Sequence, residues 1–312
     1  MNIAQPTVYC FGEALWDIFP DDAKPGGAPM NVAYHLSKLG INTGIITSIG
    51  NDKPGRDLLN LLKGWDIDTE GCGIDAEHAT GTVIASFDSS GEPRYNITGD
   101  VAWDYIRATP RTEQKVANGN AFVYGSLAAR SETSRHTLQR LLSLSTYNVF
   151  DINLRSPHYT IPVLKELLQT TDLLKLSEAE LTLLAEMHDI LLSDEDGLIQ
   201  FIMQQYSIGE VLLSKGSRGA GYYANCNCYE VPALPVIVAD TVGCGDASLA
   251  CFLSARLSNA ATTQALISAV AMGAFVAMHH GGCPPYNNDD VEKFIADTHH
   301  QLRSQVTCRS IT

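Results

Sequence analysis

The chain has 312 residues, 35 acidic against 21 basic side chains, a formal charge of -14 and an isoelectric point near 4.9. A chain this long buries roughly three quarters of its extended surface, so it holds a core without disulfides or a structural metal. The acidic excess, unbroken by any Lys/Arg run, repels phosphate backbones and argues against a nucleic-acid partner. No apolar run of membrane-spanning length occurs, and the N-terminus lacks a basic stretch followed by an apolar one. The expectation is a protein without membrane partners, located in the cytoplasm.

In chain order, Thr7–Phe11 reads as a buried strand, Ala28–Leu39 as a helix stopped by Gly40, Thr43–Ile49 as a strand and Pro54–Lys63 as a helix opened by proline. Strands follow at Ala121–Tyr124, Asn148–Ile152, Leu173–Leu176 and Glu210–Ser214. Helices follow at Ser134–Ser143, Glu178–Met187, Asp194–Tyr206, Asp246–Leu257, Thr262–Met278 and Asp289–Leu302. Such alternation predicts an α/β fold, a three-layer α/β/α sandwich around a mostly parallel sheet. Thr80–Ile97 breaks the pattern: two β-rich segments flank a Ser-Ser-Gly-Glu turn, and Leu15–Phe19 is a second short extended piece. These pieces are expected to form a small β lid, about residues 14–24 and 72–102, on a single domain spanning 1–312. The alternative is a plain edge extension of the main sheet.

The eight cysteines are expected to be reduced thiols, because no secretion signal accompanies them. Cys226 and Cys228 read as a hairpin turn or, less simply, half of a metal site. The pairs His279-His280 and His299-His300 read as surface or helix-end histidines.

The strongest chemical signal is Asp240-Thr241-Val242-Gly243-Cys244-Gly245-Asp246 running into an apolar helix. Two glycines let successive N–H groups point outward at a helix start and cradle an anion, and Asp246 places a carboxylate beside it, where the helix dipole favours its ionised form. That pairing suits phosphoryl transfer to a hydroxyl. The plain alternative is a glycine turn whose aspartate caps the helix. A P-loop, a dinucleotide fingerprint, a Gly-x-Ser-x-Gly elbow and a His-Glu-x-x-His helix are all absent. The second constellation is Gly26-Gly27-Ala28-Pro29-Met30-Asn31-Val32-Ala33, followed by Gly40 and Gly50. Asn31 offers an amide inside a helix, and Asp17 a carboxylate past the first strand. Together they suit a neutral, hydroxyl-rich molecule.

These two stretches resemble the two signatures of the ribokinase/PfkB carbohydrate kinases, in order and about 210 residues apart. Two departures are Cys244 and Cys251, where the family has smaller residues. The resemblance implies a ribokinase-like fold, ATP and Mg2+, and a role for each matching position. Asp246 is then the general base, and the amides of Gly243, Cys244 and Gly245 form the anion hole. Asp17, Gly26, Gly27 and Asn31 hold the sugar. Asn153 and Arg155, in Asp151-Ile152-Asn153-Leu154-Arg155, lie between sugar and phosphates. Glu180 orders hydrated magnesium from Ser177-Glu178-Ala179-Glu180, where Ser177 replaces the family's Asn. Lys215 and Gly216 lie on the nucleotide side, the adenine pocket involves the Ala271–Ala277 helix, and Asp240 lies beside a monovalent cation such as K+.

Each role has a plain alternative: an Asp151–Arg155 ion pair, a solvated Glu180, and at Cys244 either a redox-sensitive thiol or simply a tolerated small residue. Gly-Gly-Ala-Pro-x-Asn-Val-Ala with Gly-Glu-Ala-Leu-x-Asp is most like fructokinases, implying phosphorylation of D-fructose at its 6-hydroxyl, with Phe87, Arg94 and Tyr95 of the lid covering the sugar. Ribose, 2-keto-3-deoxygluconate and aminoimidazole riboside stay open as substrates, as does a sugar- or nucleotide-sensing descendant without turnover. Lid strands that pair across a homodimer are a further implication of the family.

Overall fold

The computed structural model describes residues 5–87, 93–190 and 194–311, with the side chains of 85–95 outside the description. The expected Ser89–Glu92 turn and the side chains of Phe87, Arg94 and Tyr95 therefore lie outside the described residues.

The N-terminal half runs β1 (Thr7–Phe11), β2 (Leu15–Ile18), β3 (Ala23–Gly26), α1 (Ala28–Lys38), β4 (Asn42–Gly50), α2 (Lys53–Gly64), β5 (Asp68–Asp75), β6 (Gly81–Phe87) and β7 (Pro93–Ile97). Next come α3 (Pro110–Asn118), β8 (Ala121–Gly125), α4 (Glu132–Leu142), β9 (Asn148–Asp151), α5 (Ile161–Leu168), β10 (Leu173–Ser177), α6 (Glu178–Glu186) and α7 (Glu195–Tyr206). The chain continues through β11 (Glu210–Ser214), β12 (Ala220–Ala224), β13 (Asn227–Val231), α8 (Cys244–Leu257), α9 (Thr262–Ala277), α10 (Asn288–Leu302) and β14 (Thr307–Ser310).

The main sheet has the order β14-β13-β12-β11-β10-β9-β8-β1-β4-β5. It is parallel from β5 to β11 and antiparallel at β12, β13 and β14. Alternation along each strand feeds two cores. Tyr9, Phe11, Phe122, Tyr124 and Phe150 pack with α4 to α7, whereas Val8, Cys10, Val123 and Val149 face α1, α2, α8 and α9. The predicted three-layer α/β/α architecture is therefore present, with both sheet faces covered as parallel strands require.

The Thr80–Ile97 hairpin is not an edge extension of this sheet. It forms a separate four-stranded sheet of order β3-β2-β6-β7, in which β2 pairs with β6 in parallel and with β3 in antiparallel fashion. The expected lid boundary at residue 72 is corrected, because Cys72–Asp75 pair with Thr47–Gly50 of β4 and close the main sheet. Residues 225–226 form the turn between β12 and β13, which settles the Cys226/Cys228 pair as a hairpin. Among the described residues no helix is long and apolar enough to cross a membrane.

Candidate active site

The parallel strands β1, β9 and β10 end at Phe11, Asp151 and Ser177, and the chemistry-bearing groups gather just beyond these ends, where open α/β sheets bind ligands. Asp246 lies in the first turn of α8. Its approach is set by Gly243, whose φ of 75° is a left-handed conformation that glycine adopts freely, and a Cβ there would strike the backbone of Gly282. Cys244 N makes only a long 3.4 Å bond to Thr241 O, and the amides of Gly243 and Gly245 meet no acceptor among the described residues. The result is a helix start with free donors beside a carboxylate.

Asp246 is buried, and Asn31 Nδ2 donates to its Oδ2 over 2.8 Å. Asn31 Oδ1 in turn accepts from the Cys283 thiol at 3.2 Å. The segment bearing Cys283 is fixed by His35, which bonds Gly282 O at 2.9 Å and Tyr286 at 3.0 Å, and burial pushes the His35 imidazole down to about 4, leaving it neutral. The Asn31 amide that the resemblance assigned to the sugar is thus engaged with Asp246, and its carbonyl with Cys283.

A buried lysine that sequence reading passed over completes the site. Lys175, on β10, reaches both oxygens of Asp151 at 2.9 and 3.0 Å, and only 8% of it is exposed. A Cβ on Gly245 would stand 2.9 Å from its ammonium nitrogen, so this cation lies against the glycine turn. Burial raises the Asp246 carboxyl, while the Lys175 ammonium and the Asn31 amide pull it back toward the charged form. Burial therefore opposes the ionised form of Asp246 that the helix dipole favours. The alternative of an Asp151–Arg155 ion pair gives way to Asp151–Lys175, and Arg155 is exposed with no carboxylate partner among the described residues.

Asp17, half-buried on β2, is pushed up to about 6 by burial and opposed by Arg155. A Cβ on Gly26 would collide with its carboxylate, so the glycine gives Asp17 its space. Gly27, with φ 111°, begins α1. Behind it, Glu13 is buried and raised to about 7, mainly by burial. Its Oε1 accepts from Ala28 N at 3.2 Å, and its Oε2 has no partner among the described residues. Asn153 takes a φ of 37°, turning the chain between Asp151 and Arg155.

Glu180 is no solvated helix carboxylate. Its Oε1 accepts from Leu154 N at 2.8 Å and its Oε2 from Ser177 N at 2.7 Å and the Ser177 hydroxyl at 2.8 Å, forming a capping box that ties α6 to the Asn153 loop. Ser177 does this work in place of an asparagine. Asp240 accepts from Val242 N at 3.0 Å and from Gly281 N at 2.9 Å, joining the two loops at the cradle.

Lys215, which the resemblance puts on the nucleotide side, has its ammonium between Glu195 at 2.6 Å and Glu230 at 2.5 Å, since a nearly buried charge requires such partners. Gly216 beside it opens onto free space. The Cys244 thiol is raised to about 11 by burial and by Asp240 and Asp246, which favours the reading of a tolerated small residue over that of a redox-sensitive thiol. The Ala271–Ala277 portion of α9 touches the cradle through Gly273, which faces Cys244 O, while Ile237 is 90% exposed on the segment leading to Asp240.

A helix-start anion cradle, an oriented buried carboxylate and a small sheet leading into α1 are the features of a group-transfer enzyme acting on a hydroxyl-bearing molecule. The chain belongs to the pfkB family of carbohydrate kinases, whose profile matches residues 21–289. It is similar to a fructokinase from Klebsiella pneumoniae, 29% identical over 304 residues, covering 90% of this chain and 97% of the relative. In fold it resembles a fructokinase from Vibrio cholerae solved with fructose, ADP and a calcium ion, with a TM-score of 0.80 and 20% identity over 93% of this chain and 99% of the other. A fructokinase from Xylella fastidiosa with bound ATP gives a TM-score of 0.79 at 22% identity, covering 93% and 98%. The fold is ribokinase-like.

Proposed function

We propose that this carbohydrate kinase phosphorylates the 6-hydroxyl of D-fructose with ATP. The observation that carries the reading is the Asp246 carboxylate, held at Oδ2 by Asn31 beside the unpartnered amides of Gly243 and Gly245. Its Oδ1 has no protein partner among the described residues and takes the proton of the attacking hydroxyl, while the two amides and that of Cys244 stabilise the charge on the phosphoryl oxygens. Lys175 offsets part of the negative charge that Asp246 and Asp151 bring to this spot. Asp17, Gly27 and Asn153 bind sugar hydroxyls under the small sheet, which serves as the lid, and Arg155 closes the mouth as a cation.

Glu180, fixed by bonds from Leu154 N and Ser177 N, would hold magnesium through water, as suits an ion that keeps its hydration and takes phosphate ligands. Among the described residues no three metal-ligating side chains converge, which fits a divalent ion carried with the nucleotide. Ile237 and the Ala271–Ala277 helix flank the nucleotide base, and K+ at Asp240 and a homodimer paired through the lid belong to the same reading. The resemblance of the Gly-Glu-Ala-Leu-x-Asp segment and the Klebsiella relative support fructose over other sugars.

The test is ADP release from magnesium-ATP with fructose, ribose, 2-keto-3-deoxygluconate and aminoimidazole riboside, with the product read by phosphorus NMR. Fructose 6-phosphate as the product of highest kcat/KM is expected. Preference for another sugar overturns the substrate, and sugar binding without turnover on any of them overturns the enzyme.

A further inference from the structure

Beside the small sheet lies a cavity of about 340 Å³ that none of Asp17, Asn31, Asn153 and Asp246 lines. Its walls include Gly99, Arg130, Arg135, His158, Tyr159 and Thr160, and no acidic side chain is among its lining residues, in a chain of formal charge -14.

Arg130 is nine-tenths buried and locked in place. Its Nε and Nη2 each donate to Asp104 at 2.7 Å, Nη2 also donates to Thr98 O at 2.7 Å, and the guanidinium lies 3.8 Å from the Trp103 ring centre. Its Nη1 is buried and has no partner among the described residues. Arg135, in the first turn of α4, forms no ion pair among the described residues. Thr160 is the N-cap of α5, yet its side chain makes no capping bond, so that helix start keeps unmet donors on the same wall. The His158 imidazole is lowered by burial and by Arg130, with Asp104 opposing, so it stands neutral with donor capacity to spare.

We propose that this cavity is a second ligand site, for the phosphate group of a small phosphorylated metabolite or for inorganic phosphate. The Arg135 guanidinium, an imidazole, two hydroxyls and a helix start supply donors for the terminal oxygens of a phosphate monoester, and the Arg130–Asp104 pair stands behind them as a fixed wall. Pro157–Thr160 share one loop with Asn153 and Arg155, and His158 N bonds Arg155 O at 2.7 Å, so an occupant holds the loop that carries Arg155. The site stands whether or not the sugar is fructose.

The experiment is calorimetric titration of the full chain with inorganic phosphate and, separately, with glycerol 3-phosphate, both with the nucleotide site filled by magnesium-ADP. His158 is followed by NMR in parallel. Binding of either probe, an upward displacement of the His158 titration when it binds, and about tenfold weaker binding in Arg135→Gln are expected. Tighter binding of glycerol 3-phosphate assigns the site to an ester, and equal or tighter binding of inorganic phosphate assigns it to the free ion. Failure of both probes to bind at millimolar concentration, or equal binding by parent and a folded Arg135→Gln with His158 unmoved, overturns the proposal.

Discussion

Asn31 Nδ2 and Asp246 Oδ2 stand 2.8 Å apart although 215 residues separate them in the chain. This bond joins α1 to α8 and orients the carboxylate at the cradle, so removing the Asn31 amide leaves Asp246 in place but free to turn. Asn31→Ala is expected to lower kcat by about 10- to 100-fold, as for a misoriented base, with a smaller change in KM for ATP. Steady-state kinetics in both substrates check this.

Lys175 and Asp151 form a buried ion pair, and Lys175→Met strands the Asp151 carboxylate without its partner. A loss of about 3–5 kcal/mol is expected, as for breaking a buried pair from one side, and the double variant Lys175→Met/Asp151→Leu should recover much of it. Urea denaturation of the three proteins reads both effects. Because Lys175 also favours the charged form of Asp246, the single variant, where it folds, should show its acid-side loss of kcat displaced to higher pH.

Glu13 is raised from an ordinary 4.5 to about 7 by burial. Between those values the folded protein keeps a proton that the unfolded chain has released, so stability falls as pH rises through that window. Each unit of displacement amounts to about 1.4 kcal/mol. Glu13→Gln lacks this titration, and its stability relative to the parent should therefore grow from about pH 5 to about pH 8. Thermal melts across that range measure it.

With its thiol raised to about 11, Cys244 is mostly protonated near neutral pH. Incubation with iodoacetamide at neutral pH should leave turnover largely intact, and Cys244→Ala should stay within about threefold of the parent. Rapid inactivation that the Ala variant escapes would mark a reactive thiol.

The two glycine-rich stretches were legible because each concentrates its chemistry in a few consecutive residues: both Asn31 and Asp246 could be singled out before any fold was known. Lys175 was not, because in Leu-Leu-Lys-Leu it reads as one polar position of a strand, and its partner sits on the neighbouring strand β9. β5 was missed for a different reason. Its Asp-Thr-Glu-Gly-Cys-Gly-Ile-Asp is too polar and glycine-rich for a central strand and pairs only at the sheet edge. Glu180 was read as a ligand, and its capping bonds depend on Leu154 N, which only the folded loop brings near. The antiparallel end of the sheet, β12 to β14, closes with a strand from the last residues of the chain, a pairing no local pattern announces.

Asp246 is the proposed proton acceptor, and the most direct measurement of that role is ADP release with fructose by Asp246→Asn beside the parent, with ATP affinity measured separately. A fall in kcat of about a hundredfold or more with ATP affinity nearly unchanged is the predicted result. Turnover within a few-fold of the parent would contradict it and remove Asp246 from that role.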